Sequence, residues 1–499
     1  MWAASEFAQG LAGFHKRNGK SLIKAAELIY GQMGRSFSAA LGNTFRQAVA
    51  GIFSKAKMNT DKMLEGHVKA TVERCQSSDT EVIIAAQDTT LYNLTTHQAL
   101  QGVGTLQGKL KGTLQHNVLA CDEQGVPLGL LYQRNWTRGG LNALDNESDK
   151  WLLGLQAVNE HLSGINKRVV LVQDREADVF DFFRAKRAPN VDLLVRVHQP
   201  RKVEVVASGV VLPLQQAAQA LPVVGEMQVH IERNNRPVAL TLKVSGGAVA
   251  VLPPKDLSAR KHTVKDLYLV VAREVAAIDG QGRCVFDEQQ AAEWLLLTSY
   301  PLGQGPIEQA QGPIEQAQGP IEQAQGPIEQ ASDAFISDAL RVVGWYALRW
   351  RIERLHYVLK SGGLQVERLQ FETIEVLFNA FAFYSIVAWR VLYLTYLARQ
   401  DCQSPAQEHF DALELQLLKA HTLKVSSKPA ANKSADNKPA DHNGLTTLKQ
   451  AVVALGRLVN FQPTTKQPLP GVKLLAQALV KLHHMKEAIL IWQNLSLQD

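Results

Sequence analysis

Cysteine is scarce in this 499-residue chain, and its four copies, Cys75, Cys121, Cys284 and Cys402, lie far apart. There is no CxxC pair and no Cys/His spacing of a zinc site. This argues against a disulfide framework and points to reduced thiols in a cytosol-like compartment. The opening stretch, MWAASEFAQGLAGFHKRNGK, lacks an apolar run long enough for a secretory leader, so a cytoplasmic location is expected. Neither charge sign dominates. Lys+Arg number 53 against 47 Asp+Glu, a net +6, a mild excess compatible with a polyanionic partner. One run, VLFNAFAFYSIVAWRVLYLTYL at 376–397, has the length of a membrane span. Asn379 and Arg390 interrupt it, and charge in lipid is costly, so it is read as a buried core helix and no membrane partner is expected.

Hydrophobic residues make up 46% of the chain, enough for a globular protein of several domains. Residues 1–78 show helical periodicity in LIKAAELIYGQM and FRQAVAGIFSKAKM. Lys16, Arg17, Lys20, Lys24, Arg35, Arg46, Lys55, Lys57 and Lys62 outnumber the acids there. That suits a DNA-binding domain or simply a solvated basic surface. From 79 to 190 strands alternate with helices. EVIIAAQDTT is a buried strand ending in Asp88, HNVLACDEQGVPLGLLYQRNW is two strands joined by the turn DEQG, and ESDKWLLGLQAVNEHL is a helix. RVVLVQDREADVFDFFRAK is a buried strand ending at Asp174 and then a helix. This alternation implies an α/β sheet. Residues 191–302 lose the helical signal and are read as a β-rich insertion.

Residues 304–331 are four perfect copies of QGPIEQA. The seven-residue period is no coiled coil, because each copy carries Gly-Pro, and proline inside a helix costs about 3 kcal/mol. The stretch 303–332 is read as a tandem duplication in a surface loop. Residues 333–400 return to the core, 401–445 contain the polar linker SSKPAANKSADNKPADHNG, and 446–499 are helical again.

The stretch WYALRWRIERLHYVLKSGG, 345–363, is read as one helix. With Tyr346 at zero, Arg349, Glu353 and Lys360 fall at about 300°, 340° and 320°. Trp345, Leu348, Ile352, Leu355 and Leu359 fall on the other side, so an apolar stripe anchors a separate polar face. Such a face is either a salt-bridged surface or a reaction site. Glu353 and Lys360 are two turns apart, too far for a simple pair, and Trp350 and Tyr357 sit beside the charges. Asp88 and Asp174 each follow an apolar strand, where an acid is often only a turn residue. Three carboxylates on strands and a packed helix also suit two Mg²⁺ ions about 4 Å apart in phosphodiester displacement.

Tyr346-x2-Arg349-x3-Glu353-x6-Lys360 resembles the Tyr-Arg-Glu-Lys signature of the insertion-sequence-four family of DDE transposases, the Tn-five type. QDTT at 87–90 is similar to the family's first-Asp motif, and ESDKW at 147–151 and DREAD at 174–178 to its second-Asp region. LLVRVHQPRK, WLLLTSYP and ISDALRVVGWYALRWRIE also follow family wording, and the resemblance spans roughly 35–400. It implies an RNase H-like core with a mixed sheet, interrupted by the β-rich insertion and flanked by all-helical N- and C-terminal domains. It also implies cut-and-paste transposition of a bacterial insertion sequence in the nucleoid. Water hydrolyses one strand at the element end, the freed 3′-hydroxyl attacks the opposite strand, and the 3′-ends later attack target DNA.

By this resemblance Asp88, Asp174 and Glu353 are catalytic ligands of two Mg²⁺ ions, which Mn²⁺ could replace. Tyr346, Arg349 and Lys360 contact phosphate. Trp294 matches a tryptophan that stacks on a flipped base, although beside Leu295–Leu297 it equally suits a core. Arg175 and Arg196 are further DNA-contact candidates. The partners implied are double-stranded DNA, as terminal inverted repeats and target, and a second protomer joined through 446–499. Glu176 and Asp178 are read as solvated or capping residues, with a ligand role for one of them left open. His116 is read as a hydrogen-bonded core histidine, His483 and His484 as surface residues, and Cys121 as buried packing. The repeats add four acids and no base between Trp294 and Glu353, which would repel DNA. Two other functions fit the same residues: a catalytically retired DNA-binding inhibitor of transposition, and a metal-dependent nuclease without strand transfer.

Overall fold

The structure is a computed structural model that describes the chain except residues 1, 8–10, 12, 234–235, 255–261, 304–331, 401–402, 427–444, 466 and 496–499. The QGPIEQA repeats and most of the expected polar linker lie outside the described residues. Helices open the chain: α1 (Trp2–Phe7), α2 (Lys16–Gly31), α3 (Phe37–Leu41), α4 (Asn43–Phe53) and α5 (Thr60–Ser77). Next come β1 (Val82–Asn93), β2 (Gly104–Thr105), β3 (Lys111–Cys121), β4 (Pro127–Trp136), α6 (Asp149–Leu162), β5 (Arg168–Gln173) and α7 (Phe180–Arg184). The middle holds β6 (Val191–Arg196), β7 (Lys202–Val205), β8 (Val210–Pro213), α8 (Leu214–Ala220), β9 (Val223–Arg233), β10 (Arg236–Val251), β11 (Val264–Asp279) and β12 (Glu293–Thr298). The chain closes with α9 (Asp333–Leu348), α10 (Trp350–Leu359), α11 (Ile374–Leu397), α12 (Ala412–Ser426), α13 (Leu448–Arg457) and α14 (Val472–Leu495).

The architecture is mixed α/β and divides into two compact units, Met1–Val169 with Trp350–Asp499, and Val170–Arg349. The stretch 191–302 lies wholly within the second unit.

In the first unit β1 pairs antiparallel with β3, and β3 with β4. The β3–β4 turn is the expected DEQG: Gly125 N–H donates to Asp122 O at 3.0 Å, and Val126 N–H to the Asp122 carboxylate at 2.8 Å. Side chains alternate across a strand, so β1 and β3 present two distinct faces. One carries Gln87 and His116 against α6. The other carries Asp88 and Asn117 against α10. Gly154 lets α6 approach, since a Cβ there would meet Gln87 Oε1 at 2.0 Å. Gly129 on β4 does the same for α5, with φ +150° and the Thr71 hydroxyl 1.9 Å from any added Cβ.

Helix α11 runs through the core of this unit. It is the one helix among the described residues long and apolar enough to cross a membrane, and 89% of its most apolar window is buried against protein. Asn379 donates to Phe53 O at 2.9 Å and Met58 O at 3.3 Å, and the Arg390 guanidinium lies 5.7 Å from the Tyr393 ring centre. The expected buried core helix is what the structure shows.

In the second unit β10 is the spine. It pairs with β11 along one edge, and with β9 and then β7 along the other. β11 continues to β12, and β12 to β6. Helix α9 packs on β9, β10 and β11.

Four expectations need correction. The stretch 345–363 is not one helix: α9 ends at Leu348, Arg349 caps it, and α10 begins at Trp350. Asp88 lies inside β1 rather than at its end, because polar residues continue the ladder to Asn93. The β-rich stretch contains a helix, α8, and the segment 401–445 contains α12.

Candidate active site

Glu353 and Lys360 come with α10 in the first unit, whereas Tyr346 and Arg349 belong to the second. The four residues of the signature are therefore divided between two compact bodies, and the shared arc of a single wheel does not apply.

In the first unit the site starts from β1. Its initial run, Val82–Gln87, is buried throughout, which fixes the strand, and Asp88 follows, half-buried. Asp88 sits opposite Asn117 of β3, so both side chains share a face. Helix α10 lies on that face, anchored by Ile352, Leu355, Val358 and Leu359, all fully buried. Glu353 stays half-buried, and His356, three residues on, occupies the same flank one turn later. His356 Nδ1 is 3.7 Å from Asp88 Oδ2, and Asn117 Nδ2 lies 3.0 Å from His356 Nε2. Lys360 follows α10, with its ammonium 5.4 Å from the Tyr92 ring centre. Burial lowers its pKa, while the carboxylates of Glu367 and Asp88 pull it back up.

The opposite face is structural. His116 is fully buried, with Nδ1 2.8 Å from Thr89 Oγ1 and Nε2 3.0 Å from Gln87 Oε1, and its ring meets Trp151 edge-on. Burial pushes its pKa well below the ordinary value, so it is a neutral core histidine, as expected.

In the second unit Asp174 follows β5 and caps a short 3₁₀ turn, accepting from Glu176 N–H at 2.8 Å. Arg175 and Glu176 are exposed. Asp178 stands at the C-cap of that turn, its N–H bonded to Arg175 O, and it is not solvated. It is buried, pairs with Arg201, and accepts from the backbone N–H groups of His198 and Gln199, both at 2.7 Å. These partners use its lone pairs and tie the turn to the chain after β6. Trp294 on β12 is 6% exposed, and its ring packs edge-on against Tyr346, 5.1 Å between centres. Tyr346 is itself 2% exposed. Arg349 is buried, with its guanidinium 6.0 Å from the Tyr346 ring centre. Arg196 is half-exposed and donates to Glu293 O at 3.1 Å.

The acids proposed as ligands offer oxygen donors, the chemistry that Mg²⁺ takes. Among the described residues no group of three His, Cys, Asp or Glu side chains converges closely enough to hold an ion. His356 and Asn117 had no place in the sequence reading. The signals available were the Glu353-x2-His356 spacing and the polar run TLQHN within an otherwise apolar strand.

No protein-family model matches the chain. Among solved structures it is similar to one described as a piggyBac transposase synaptic complex with hairpin DNA, at 9% identity over 88% of this chain and 84% of that one, with a TM-score of 0.30. Likeness at that level carries no argument about fold or activity.

Proposed function

We propose that the chain is a DNA transposase of the DDE type, with Asp88, Asp174 and Glu353 as its acidic triad. The observation that carries the reading is the docking of α10 on the Asp88 face of β1, where His356, one turn from Glu353, meets the Asp88 carboxylate at 3.7 Å. Two acids separated by 264 residues are thus borne on facing elements of one unit (353 − 88 = 265 positions, less one). The ordered motifs that resemble the insertion-sequence-four family supply the rest.

In this reading Asp88, Asp174 and Glu353 are the residues that would hold two Mg²⁺ ions, although no three such side chains converge among the described residues. Such ions, when bound, supply an activated nucleophile and a stabilised leaving oxygen. The chain's own cations serve the DNA backbone. Lys360 offers a point charge beside Asp88, and Arg349 a planar fork suited to phosphate. Trp294 would have to leave its packing against Tyr346 to stack on a base.

The test uses the full chain, the DNA that flanks its own coding sequence, and Mg²⁺. Nicking at 3′-ends is expected, with loss to background in Asp88→Ala, Asp174→Ala and Glu353→Gln. Unchanged nicking in all three sinks the reading. DNA binding without nicking under Mg²⁺ or Mn²⁺ would instead mark a retired DNA-binding protein. Nicking without joining of pre-cut ends would mark a nuclease.

A further inference from the structure

In the first unit α5 and α6 both pack on β4, and a cleft of about 680 Å³ opens among the three. That size falls within the roughly 300–1,000 Å³ of small-molecule sites. Apolar side chains form its walls. Leu64, Val68 and Val72 come at four-residue steps along α5 and so share one stripe, joined by Leu131 of β4 and by Leu153 and Ala157 of α6. The rim is acidic. Asp61, Glu65, Glu73 and Glu160 line it against Lys69, in a chain whose net charge is +6. Glu65 is occupied by Lys62 at 2.7 Å and by Lys69 at 3.3 Å. Asp61, Glu73 and Glu160 are exposed and enter no ion pair among the described residues. Burial raises the Asp61 pKa; Arg134 and His161 oppose that shift, and the Glu160 carboxylate adds to it. These groups therefore gather at one end of the cleft. Burial lowers the His161 pKa, so its imidazole adds no positive charge there at neutral pH.

Gln133 of β4 also lines the cleft. It is 2% exposed, and neither its amide nitrogen nor its amide oxygen has a hydrogen-bond partner. Buried amides are almost always paired, and an unpaired one weighs against folding. Leu130 N–H donates to His67 Nε2 at 2.9 Å, and Asn135 Nδ2 lies 3.2 Å from Thr60 Oγ1. Strand β4 and helix α5 therefore run antiparallel, and Gln133, between these two ties, lies toward the Asp61 end of α5. An occupant has three features to match: apolar walls, an anionic rim and an unpaired amide. The carboxylates repel an anion, and the walls leave the hydroxyls of a sugar unpaired. A protonated amine on an apolar body matches all three.

We propose that this cleft binds a small organic cation, a protonated amine on an aromatic or aliphatic body, with its ammonium at the Asp61–Glu160 end and the Gln133 amide turned to accept from it. None of these residues belongs to the acidic triad, so failure of this site leaves the transposase reading as it stands, and the reverse.

Three probes of one shape separate charge from bulk: phenylpropylamine, phenylpropanol and phenylpropionate. Each is titrated into the full chain and followed by ligand-observed nuclear magnetic resonance. The amine should bind about threefold or more tightly than the alcohol, and the carboxylate more weakly than either. Equal binding of all three, or a carboxylate that binds best, overturns the proposal. Asp61→Asn combined with Glu160→Gln should erase the lead of the amine and leave alcohol binding in place; a lead that persists overturns it. Val68→Trp fills the cleft and should abolish binding of every probe, and binding that survives places the probes elsewhere and overturns the assignment. Gln133→Leu should weaken the amine about fivefold, and unchanged amine binding counts against the proposal in the same way. Should Gln133→Leu not fold, the double variant and Val68→Trp decide. A helical Lys/Leu peptide that binds where the amine does not marks a protein-docking groove and overturns the small-ligand assignment.

Discussion

Glu6 is a buried carboxylate that stays charged because of three contacts. Its oxygens lie 2.5 Å from His67 Nδ1, and 2.9 and 3.2 Å from the two Arg74 terminal nitrogens. Burial alone would raise its pKa, but the His67 hydrogen bond and the Arg74 charge outweigh that and hold it at about 2. His67 is fully buried, its Nε2 accepts from Leu130 N–H at 2.9 Å, and burial pushes its pKa down. Both shifts act in the same sense. A carboxylate depressed in the fold stabilises above its ordinary pKa of 4.5, and that stability is lost as pH falls toward 2. A histidine kept neutral in the fold loses stability once the unfolded chain takes up a proton below its ordinary 6.5. The melting temperature should therefore fall steadily from pH 7 to pH 4, as circular dichroism would show. Glu6→Gln should cost about 3–5 kcal/mol in urea unfolding and flatten the slope below pH 5, because it leaves Arg74 without its buried counter-charge. A flat profile in the parent would refute this account. None of this was legible in the sequence, since Glu6 and His67 are 61 positions apart and carry no motif. Asp88, Asp174 and Glu353 could be picked out because motifs surround them. Which neighbours they touch could not.

At the scale of elements, local patterns were a good guide where they were long. The apolar run of β1, the DEQG turn and the heptad-like stripe of α10 each announce their own geometry. Short or unmarked features escaped. Helix α8 is Leu214 followed by six residues of glutamine and alanine, too short for a periodic signal, and the end of α9 at Leu348 has no glycine or proline to declare it. Arg349 N–H bonds instead to Tyr346 O at 3.1 Å, a tighter three-residue closure that the surroundings impose. Gly154 tests how far packing overrides propensity. Alanine in a helix interior is favoured over glycine by about 0.8–1 kcal/mol. In α6 the added Cβ would lie 2.0 Å from Gln87 Oε1 and 3.1 Å from Val118 Cγ2, displacing the amide that meets His116. Gly154→Ala should therefore lose about 1–3 kcal/mol net in urea unfolding. A gain in stability would show that β1 and α6 have room to separate.

For the whole molecule the telling feature is that compactness cuts the chain at Val169/Val170 and at Arg349/Trp350, the second cut falling within the signature that carries the resemblance. A second whole-chain property is the tandem insert at 304–331. On the sequence reading of this stretch as a surface loop, closing four QGPIEQA copies would cost only slightly more than closing one. Each doubling of length adds about 0.6 kcal/mol, so removing three copies should stabilise by roughly 1 kcal/mol. The same deletion removes three glutamates, so DNA affinity at low salt should rise or stay level. Calorimetry and a binding titration at two salt concentrations would check both. A large loss of stability would mean that the repeats are part of a packed body.

By itself, the sequence determined the α/β character, the order of the long elements and the residue types available for phosphoryl chemistry. Those properties depend on neighbours within a turn or a strand's length. Tertiary structure alone decided that Asp88 faces α10 while His116 faces α6, that Asp178 is sealed by Arg201, and that His356 and Asn117 meet beside Asp88. Such contacts join residues tens to hundreds of positions apart. Only the burial of whole faces selects them, and no local pattern encodes which partner a face will find.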